Sequence, residues 1–220
     1  MPHDSLMDII DCQQCERLYN FLRSVKSKHP DYHARPVAAF GDVTAKLLIV
    51  GLAPGMHGAN RTGRPFTGDY AGVLLYKTLH QFGFATSPES VSAVDDLQLI
   101  GCRITNAVKC LPPENKPIPE EIKQCNRYLS TELRQFTKNG GTAVLALGTV
   151  AHRAVLMGLQ LKAKDYPFAH GAVHSLIQGH QNGKGLRLYD SYHCSRYNTQ
   201  TKRLTAEMFE HVFSRIAADF

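Results

Sequence analysis

The stretch Gly51–Asp69 reads GLAPGMHGANRTGRPFTGD and lies between an apolar run, Lys46–Val50, and a helix-like run, Tyr70–Phe82. It contains five glycines and two prolines. Glycine lets a backbone approach a ligand closely, and loops at strand ends are where binding and catalytic residues concentrate. We therefore interpret Gly51–Asp69 as the floor of an active site that the rest of the chain supports.

Strand-like and helix-like segments alternate outward from this loop. The runs Cys102–Cys110, Thr142–Leu147 and Arg187–Tyr192 resemble Lys46–Val50, and each precedes a segment with apolar residues at helical spacing. This alternation predicts an α/β fold with a parallel sheet covered by helices on both faces. Because ligands bind beyond the carboxyl ends of such strands, we expect four segments to converge on one cleft. These are the Gly51 loop, Asn106–Lys109, Gly148–His152 and His193–Asn198.

The length of 220 residues predicts a single domain over residues 1–220, and 43% hydrophobic residues are enough for a core. The sequence contains no apolar run long enough to span a bilayer. The first residues, MPHDSLMDII, lack the basic and apolar regions of a secretory signal. We therefore expect a cytoplasmic protein with no membrane partner.

Charge and motifs narrow the possible functions. The formal net charge of +6 is compatible with a nucleic-acid partner, and also with an enzyme that is simply basic. The phosphate-binding patterns G-x-x-x-x-G-K-[ST] and G-x-G-x-x-G do not follow any predicted strand. The sequence therefore disfavours a nucleoside-triphosphate or dinucleotide enzyme.

Four of the cysteines have a spacing that suits a metal. The chain has six, at positions 12, 15, 102, 110, 125 and 194. Cys12 and Cys15 form a C-x2-C, while Cys110 and Cys125 flank a proline-rich loop. Four thiolates suit zinc or an iron–sulfur cluster, and spacing does not distinguish the two. The alternative is buried thiols that act as small hydrophobic residues, which fits Cys125 on its apolar helix stripe and fits the remaining two cysteines better.

Several motifs together resemble the family 5 (type b) uracil-DNA glycosylases. They are the loop Gly51–Asp69, TNAVKC at Thr105–Cys110, the four spaced cysteines and HCSRYNTQTKRLT at His193–Thr205. The resemblance covers nearly the whole chain. It implies a three-layer α/β/α fold with a central four-stranded parallel sheet. It also implies a [4Fe–4S] cluster on Cys12, Cys15, Cys110 and Cys125.

The function implied by the resemblance is monofunctional removal of uracil from DNA, the first step of base excision repair. Members of this branch also look broader than other uracil glycosylases, so hypoxanthine and other deaminated bases are candidate substrates. We expect a monomer. Two departures stand out: Leu52 occupies the position where the family 4 branch carries Glu, and His193–Cys194–Ser195 replaces the usual His-Pro-Ser. The first leaves the usual carboxylate missing, and the second puts the stiffness of that loop in doubt.

A base inside a duplex must be flipped out before its glycosidic bond can be reached. By carry-over from the motifs, Phe66 is the stacking residue, and Asn106 is the reader of the uracil edge, because an amide offers both a donor and an acceptor. His193 is predicted to donate a hydrogen bond to the uracil O2 as negative charge develops. The alternatives are a core-anchoring Phe66 and a buried structural Asn106. Asn106 is also a candidate for placing the attacking water.

Asp69 is our choice for the carboxylate that positions the water, because Leu52 leaves the family 4 position without one. The alternative is an N-cap for the following helix, and one residue can do both. The backbone at Gly51, Leu52 and Ala53 is predicted to line the base pocket.

We expect cationic side chains to contact the DNA backbone, because affinity for the backbone is largely electrostatic. The candidate phosphate contacts are Arg61, Arg64, Arg196, Lys202 and Arg203. Tyr197 is the candidate for a wedge into the gap left by the flipped base. The alternative for each cation is a solvated surface charge. His57 and Asn60 rank lower as ligands of water or phosphate.

Two other functions compete with a DNA glycosylase. A non-catalytic, metal-stabilised nucleic-acid-binding protein would not need Asn106, His193 and a glycine loop at successive strand ends. An electron-transfer iron–sulfur protein would not explain the HCSRYN motif. The sequence therefore favours the glycosylase, and an assay on uracil-containing DNA separates the three.

Overall fold

A computed structural model describes residues 9–177 and 185–220. In these residues, six strands form one sheet in the order β1-β3-β2-β4-β6-β5. The strands are β1 Phe40–Gly41, β2 Leu47–Gly51, β3 Cys102–Asn106, β4 Ala143–Leu147, β5 Val173–Ile177 and β6 Leu186–Ser191. The four central strands are parallel, and β1 and β5 pair antiparallel at the two edges.

The predicted four-stranded parallel sheet is confirmed as the centre of this larger sheet. The two edge strands were not predicted, because one has only two residues and the other carries polar residues such as His174 and Ser175 within a short run. The predicted strand Cys102–Cys110 is also shorter in the structure: β3 ends at Asn106. The chain leaves the sheet there, before the proline-rich loop.

Seven helices accompany the sheet in the described part of the chain. They are α1 Glu16–Lys28, α2 Ala59–Thr62, α3 Tyr70–Gln81, α4 Pro119–Lys138, α5 Thr149–Gly158, α6 Arg196–Gln200 and α7 Ala206–Ala217. Short 3-10 turns occur at Pro113–Asn115 and Ala163–Asp165. None of these helices combines the length and the apolar character that crossing a membrane requires.

Alternation along β2 divides the core between two helical layers. Leu47 and Ile49 point into a cluster with α3 and α7, while Leu48 and Val50 point into a cluster with α4 and α5. All four side chains are buried, as expected for a strand covered on both faces. The result is the predicted three-layer α/β/α arrangement.

A smaller apolar cluster joins α1 to the segment after β3. Leu18, Leu22 and Val25 recur on one face of α1 and pack against Val108 and Leu111. This packing brings the N-terminal cysteines towards the loop that follows β3.

Candidate active site

A cleft of about 810 Å³ opens beyond the carboxyl ends of the parallel strands. Its walls come from the loop after β2, the end of β3 and the segment after β6. The predicted residues at its surface are Leu52, Ala53, Phe66, Asp69, Asn106, His193 and Arg196. The expected convergence on one cleft is therefore seen for three of the four strand ends.

Gly51 lies beneath this surface and lets two candidate residues meet. It is the last residue of β2 and pairs with Asn106 across the two parallel strands. A Cβ at Gly51 would collide with Asn106 Oδ1 and lie 2.6 Å from the Phe66 ring. The absence of a side chain here therefore brings the amide and the aromatic ring together at the cleft.

Phe66 is held in an unusual backbone conformation next to His193. Its φ of 55° lies in the left-handed region, which a bulky residue rarely occupies. The ring is 5% exposed, and its centroid lies 5.9 Å from that of His193 at an interplanar angle of 27°. These two rings are nearly parallel and form one apolar wall of the cleft.

His193 is partly buried, and this burial lowers its pKa to about 4. The imidazole is consequently neutral at neutral pH. A neutral imidazole still has one N–H to donate, so His193 can form a hydrogen bond without bringing a full charge into the cleft. Gly148, at the end of β4, packs under it: a Cβ there would lie 3.5 Å from His193 Cβ.

Asn106 presents an unused acceptor. Its side chain is 3% exposed, and Oδ1 accepts no hydrogen bond from any residue in ranges 9–177 and 185–220. A buried polar atom without a partner costs about 1–3 kcal/mol. Such a cost at a residue that lines a cleft indicates an atom kept available for a ligand.

Asp69 caps a helix and also lies at the cleft surface. Oδ1 accepts a hydrogen bond of 3.0 Å from the amide of Gly72 and so caps α3. Oδ2 lies against Gly55 and Gly58, both on the cleft wall, and a Cβ at Gly58 would collide with it. Burial raises the pKa of Asp69, although hydrogen bonds from the Gly72 and Ala71 amides oppose the shift. A carboxylate with a raised pKa is a better proton acceptor.

Five of the six predicted DNA contacts are exposed, and one of these five lies on the cleft wall. Arg196 lies on its wall, with the guanidinium 5.9 Å from the centroid of the Tyr70 ring. Tyr197 is 70% exposed, the largest exposure among the aromatic side chains of the described chain. Arg61 is also exposed and donates from Nε to the His57 carbonyl at 2.7 Å. Lys202 and Arg203 follow α6 and are exposed.

The structure does not support the prediction that Arg64 contacts phosphate. Its side chain is buried, forms an ion pair with Asp95 and donates to the Ala93 carbonyl at 2.9 Å. Its guanidinium also lies 4.3 Å from the centroid of the Phe40 ring. Because these groups surround Arg64, it has a structural role behind the loop.

Other cleft residues escaped the sequence analysis. Tyr70, Ser195 and Asn115 line the cleft, and Asn115 comes from the proline-rich loop with a φ of 56°. His57, ranked low from sequence, is also on the wall, where Tyr32 Oη lies 2.8 Å from its Nδ1. Only Ser195 had a sequence signal, through its place in the HCSRYN motif. The others depend on contacts between distant segments.

The remaining strand end, that of β4, leads to a group of buried polar side chains outside the cleft. His152, one turn into α5, lies with Nδ1 2.8 Å from Asp190 Oδ1 and Nε2 2.8 Å from the Tyr166 carbonyl. His174 Nε2 lies 3.2 Å from the other Asp190 oxygen. We call His152, Asp190 and His174 the buried histidine cluster. It is separate from the cleft, so the prediction that Gly148–His152 lines the cleft is wrong.

The four cysteines predicted to bind a metal line one small cavity between α1, α4 and the loop after β3. Cys12 and Cys15 precede α1, Cys110 follows β3, and Cys125 lies on α4. Burial raises the pKa of Cys125 to about 11, and that of Cys110 rises for the same reason and because the other three thiols are near. A bound cation would be needed to keep Cys110 and Cys125 as thiolates.

The separation of these sulfurs bears on which metal they suit. A tetrahedral zinc site with Zn–S bonds of about 2.3 Å places its sulfurs about 3.8 Å apart. Within the described chain, no three of these cysteine sulfurs lie within 4.8 Å of one another. The four thiols therefore form no ready-made single-ion site among the described residues.

Comparison with known proteins adds four findings. The family model of the uracil DNA glycosylase superfamily matches residues 38–217. The type-5 uracil-DNA glycosylase of Thermus thermophilus is 46% identical over 203 residues, covering 90% of this chain and 89% of the relative. That of Pyrobaculum aerophilum is 41% identical over 220 residues, covering 98% and 92%. A type-4 uracil-DNA glycosylase of Archaeoglobus fulgidus is 27% identical over 191 residues, covering 86% and 79%.

Proposed function

The chain belongs to the uracil DNA glycosylase superfamily, and we propose that it is a hydrolase that removes uracil from DNA. The observation that carries the proposal is the meeting of Phe66, Asn106 and His193 in one cleft, together with the unused Oδ1 of Asn106. These groups supply a stacking face, an edge reader and a donor for the departing base. The chemistry of uracil release needs all three.

The flipped base would enter between the loop after β2 and the segment after β6. Phe66 offers its ring as a stacking surface, worth about 1–3 kcal/mol per base. Asn106 offers Oδ1, which can accept the uracil N3–H, and Nδ2, which can donate to a carbonyl of the base. Pairing Oδ1 with the substrate would remove the cost of an unsatisfied buried acceptor. Binding of the base at Asn106 should therefore gain more free energy than binding at a solvent-exposed amide would.

Departure of the base is assisted by His193. When the N-glycosidic bond breaks, its electron pair moves onto uracil, and negative charge spreads over N1 and O2. An N–H of the neutral imidazole donates to O2 and stabilises this charge. The lowered pKa of His193 keeps the imidazole neutral, and a neutral imidazole N–H is too weak an acid to be transferred, so His193 acts as a hydrogen-bond donor.

Water addition completes the reaction. We assign Asp69 Oδ2 as the acceptor that orients the water and takes its proton, with Asn106 as a second candidate for holding the water. The water oxygen bonds to the sugar carbon that uracil has left. Of the described residues, those lining the cleft include no lysine, which a glycosylase with lyase activity uses to form a Schiff base. This composition supports a monofunctional hydrolase that leaves an abasic site for base excision repair.

The DNA backbone is held by the exposed cations around the cleft. Arg61, Arg196, Lys202 and Arg203 are the proposed phosphate contacts, supported by a net charge of +6. Tyr197, with 70% of its surface exposed, is the proposed wedge.

A direct assay tests the proposed activity. A duplex oligonucleotide with one uracil is incubated with the protein, and free uracil is measured before alkali converts abasic sites to breaks. We expect uracil release and alkali-dependent cleavage, with thymine in the same position as the control. Binding without uracil release on single- and double-stranded DNA would identify a non-catalytic binding protein instead.

We further propose that Cys12, Cys15, Cys110 and Cys125 hold a [4Fe–4S] cluster. The support is their shared cavity and the resemblance to family 5. When bound, such a cluster would cross-link α1, α4 and the loop after β3. The same loop carries Asn115 to the cleft, so the cross-link would help to shape one wall.

Iron content and colour test the cluster. The protein purified without oxygen should contain about four irons per chain and show visible absorption that fades on reduction. Cys125→Ser should lose both, and Cys102→Ser is the matched control because Cys102 is equally buried but lies outside this cavity. Stoichiometric zinc in a colourless protein would refute the proposal.

Three finer features remain proposals. The cleft of about 810 Å³ is large enough to admit a purine, and Leu52 gives it an apolar wall. We therefore propose hypoxanthine as an additional substrate, to be tested with the same assay and with guanine as the control.

A monomeric state and a cytoplasmic location stay predictions from the sequence. Size-exclusion chromatography would check the first, and cell fractionation would check the second.

A further inference from the structure

The segment Ser90–Asp95 contacts the loop Gly51–Asp69, which we call the catalytic loop, and none of its residues lines the cleft. It belongs to the connection between α3 and β3, which is closed at its base where Ala85 pairs with Leu99. Asp95 organises the segment internally. Its Oδ2 accepts from the amides of Val91 at 2.8 Å and Ser92 at 3.1 Å.

Three residues of the catalytic loop are tied to this segment. The Arg64 guanidinium forms its ion pair with Asp95 and also donates to Ser90 Oγ at 3.2 Å. The hydroxyls of Thr67 and Ser90 lie 2.7 Å apart, and the Gly68 amide donates to the Ser90 carbonyl at 3.3 Å. The catalytic loop is thus anchored on both sides of Phe66.

Phe66 needs such anchoring. A left-handed backbone at a non-glycine residue costs about 1–3 kcal/mol and persists only when its surroundings enforce it. Its φ is 55°, and the preceding carbonyl, that of Pro65, accepts a further hydrogen bond of 2.9 Å from Tyr76 Oη. Without these ties, the chain at Phe66 would relax and the ring would turn away from His193.

We propose that Ser90–Asp95 is a brace that holds the Phe66 ring in its stacking orientation, with Arg64 and Asp95 as positioning residues for base binding. This proposal rests on the proposed role of Phe66 in uracil release. It explains why an arginine in a loop next to DNA is buried and paired. It also gives a function to a polar connection that contributes nothing to the cleft surface.

The first test uses the protein alone. Amide hydrogen exchange at Thr67 and Gly68 should be at least about tenfold faster in Asp95→Ala, because the ties on both sides of Phe66 are weakened. Asp96→Ala is the matched control, since Asp96 is the exposed neighbour in the same connection. Unchanged exchange in Asp95→Ala would overturn the brace, whether or not the protein releases uracil.

The second test couples the brace to Phe66. Asp95→Ala should lower the single-turnover rate of uracil release about tenfold, as expected when a contact group is misplaced. In a Phe66→Leu background, the same substitution should cost less than about twofold, because the ring to be positioned is gone. Equal losses in both backgrounds would refute the proposal.

Two further measurements distinguish a loss of folding or of DNA binding from a loss of the brace. If Asp95→Ala does not fold, Ser90→Ala removes only a hydroxyl and enters the same two tests. Binding to DNA that carries an abasic site should change less than about twofold in either variant, since the brace acts on the base and not on phosphate. If the wild-type protein releases no uracil, the proposed function fails, while the exchange experiment still decides on the brace.

Discussion

The cleft and the buried histidine cluster both lie near the carboxyl edge of the sheet, but they differ in whether their buried polar atoms have hydrogen-bond partners. In the cluster, both oxygens of Asp190 have histidine partners, and both ring nitrogens of His152 lie 2.8 Å from an oxygen. In the cleft, Asn106 Oδ1 is buried and accepts no hydrogen bond from the described residues. A satisfied buried network stabilises a fold, whereas an unsatisfied group beside a cavity is available to a ligand.

Titratable residues alone would not have separated the two regions. The cluster has two histidines and a carboxylate with ligand atoms within 4.8 Å of one another. The cleft wall also has two histidines, His57 and His193, and its carboxylate, Asp69, already caps a helix. Access for a substrate distinguishes them: a cleft of about 810 Å³ reaches His193, while Asp190 is fully buried. The substitutions below should therefore affect activity in one region and stability in the other.

The largest expected effect is on the rate, from Asn106→Ala. Loss of a group that meets the reacting base should lower single-turnover uracil release about 10²–10³-fold. The free energy of unfolding should not fall, because Oδ1 accepts no hydrogen bond from any described residue. Rate assays and urea unfolding measure the two quantities.

The matched control is Asn126→Ala. Asn126 is also buried, but its Nδ2 donates to the Ala154 carbonyl at 2.8 Å. This variant should lose stability and keep its rate. Similar losses of stability in both variants would show that Asn106 is a structural residue.

The next effect is on stability, from Asp190→Ala in the buried histidine cluster. Removing the carboxylate leaves two histidine nitrogens without their acceptor, which should cost about 3 kcal/mol of unfolding free energy. The rate, measured at a temperature where the variant is folded, should stay within about twofold of the wild type. Asp165→Ala, at an exposed aspartate, should change neither quantity. A large loss of rate at full folding would connect the cluster to catalysis.

Asp69→Asn tests the residue that joins both kinds of role. Asparagine is as good an N-cap as aspartate, so the stability should change by less than about 1 kcal/mol. The rate should fall about 10²-fold, because an amide does not take a proton from water. Thr205→Ala, which removes the N-cap of α7, should show the reverse pattern. Full activity of Asp69→Asn at neutral pH would leave capping as its only role.

The smallest effect at neutral pH is expected from the titration of His193, which changes stability only in acid. Burial lowers the His193 pKa to about 4 in the folded state, below the value near 6.5 expected when unfolded. Between these values the unfolded chain binds more protons, so stability falls as the pH drops from about 6.5 to about 4, by at most about 1.4 kcal/mol per pH unit. Unfolding of His193→Gln should lack this contribution, while exposed His211→Gln should retain it. Identical pH dependence in wild type and His193→Gln would contradict the neutral state.

Much of the fold could be predicted from local patterns. The apolar runs gave the four central strands because a strand buried on both faces must be apolar throughout, as β2 and β4 are. The edge strands were missed because a strand with one neighbour needs no such continuity. Arg64 was misassigned for a related reason. Its partner Asp95 lies 31 residues away in an irregular segment, and such a segment has no periodic pattern from which a contact could be predicted.

The sequence by itself determined the α/β class, the family resemblance and the residues Phe66, Asn106 and His193, because motif residues must be present whatever the packing. Only the tertiary structure decided which groups surround each of these residues. It showed that Asn106 Oδ1 is unsatisfied among the described residues, that Asp69 caps α3 while facing the cleft, and that Arg64 is buried and paired with Asp95. The physical reason is that burial, hydrogen-bond satisfaction and pKa depend on groups from distant segments. A linear pattern records the identity of a side chain but not its surroundings.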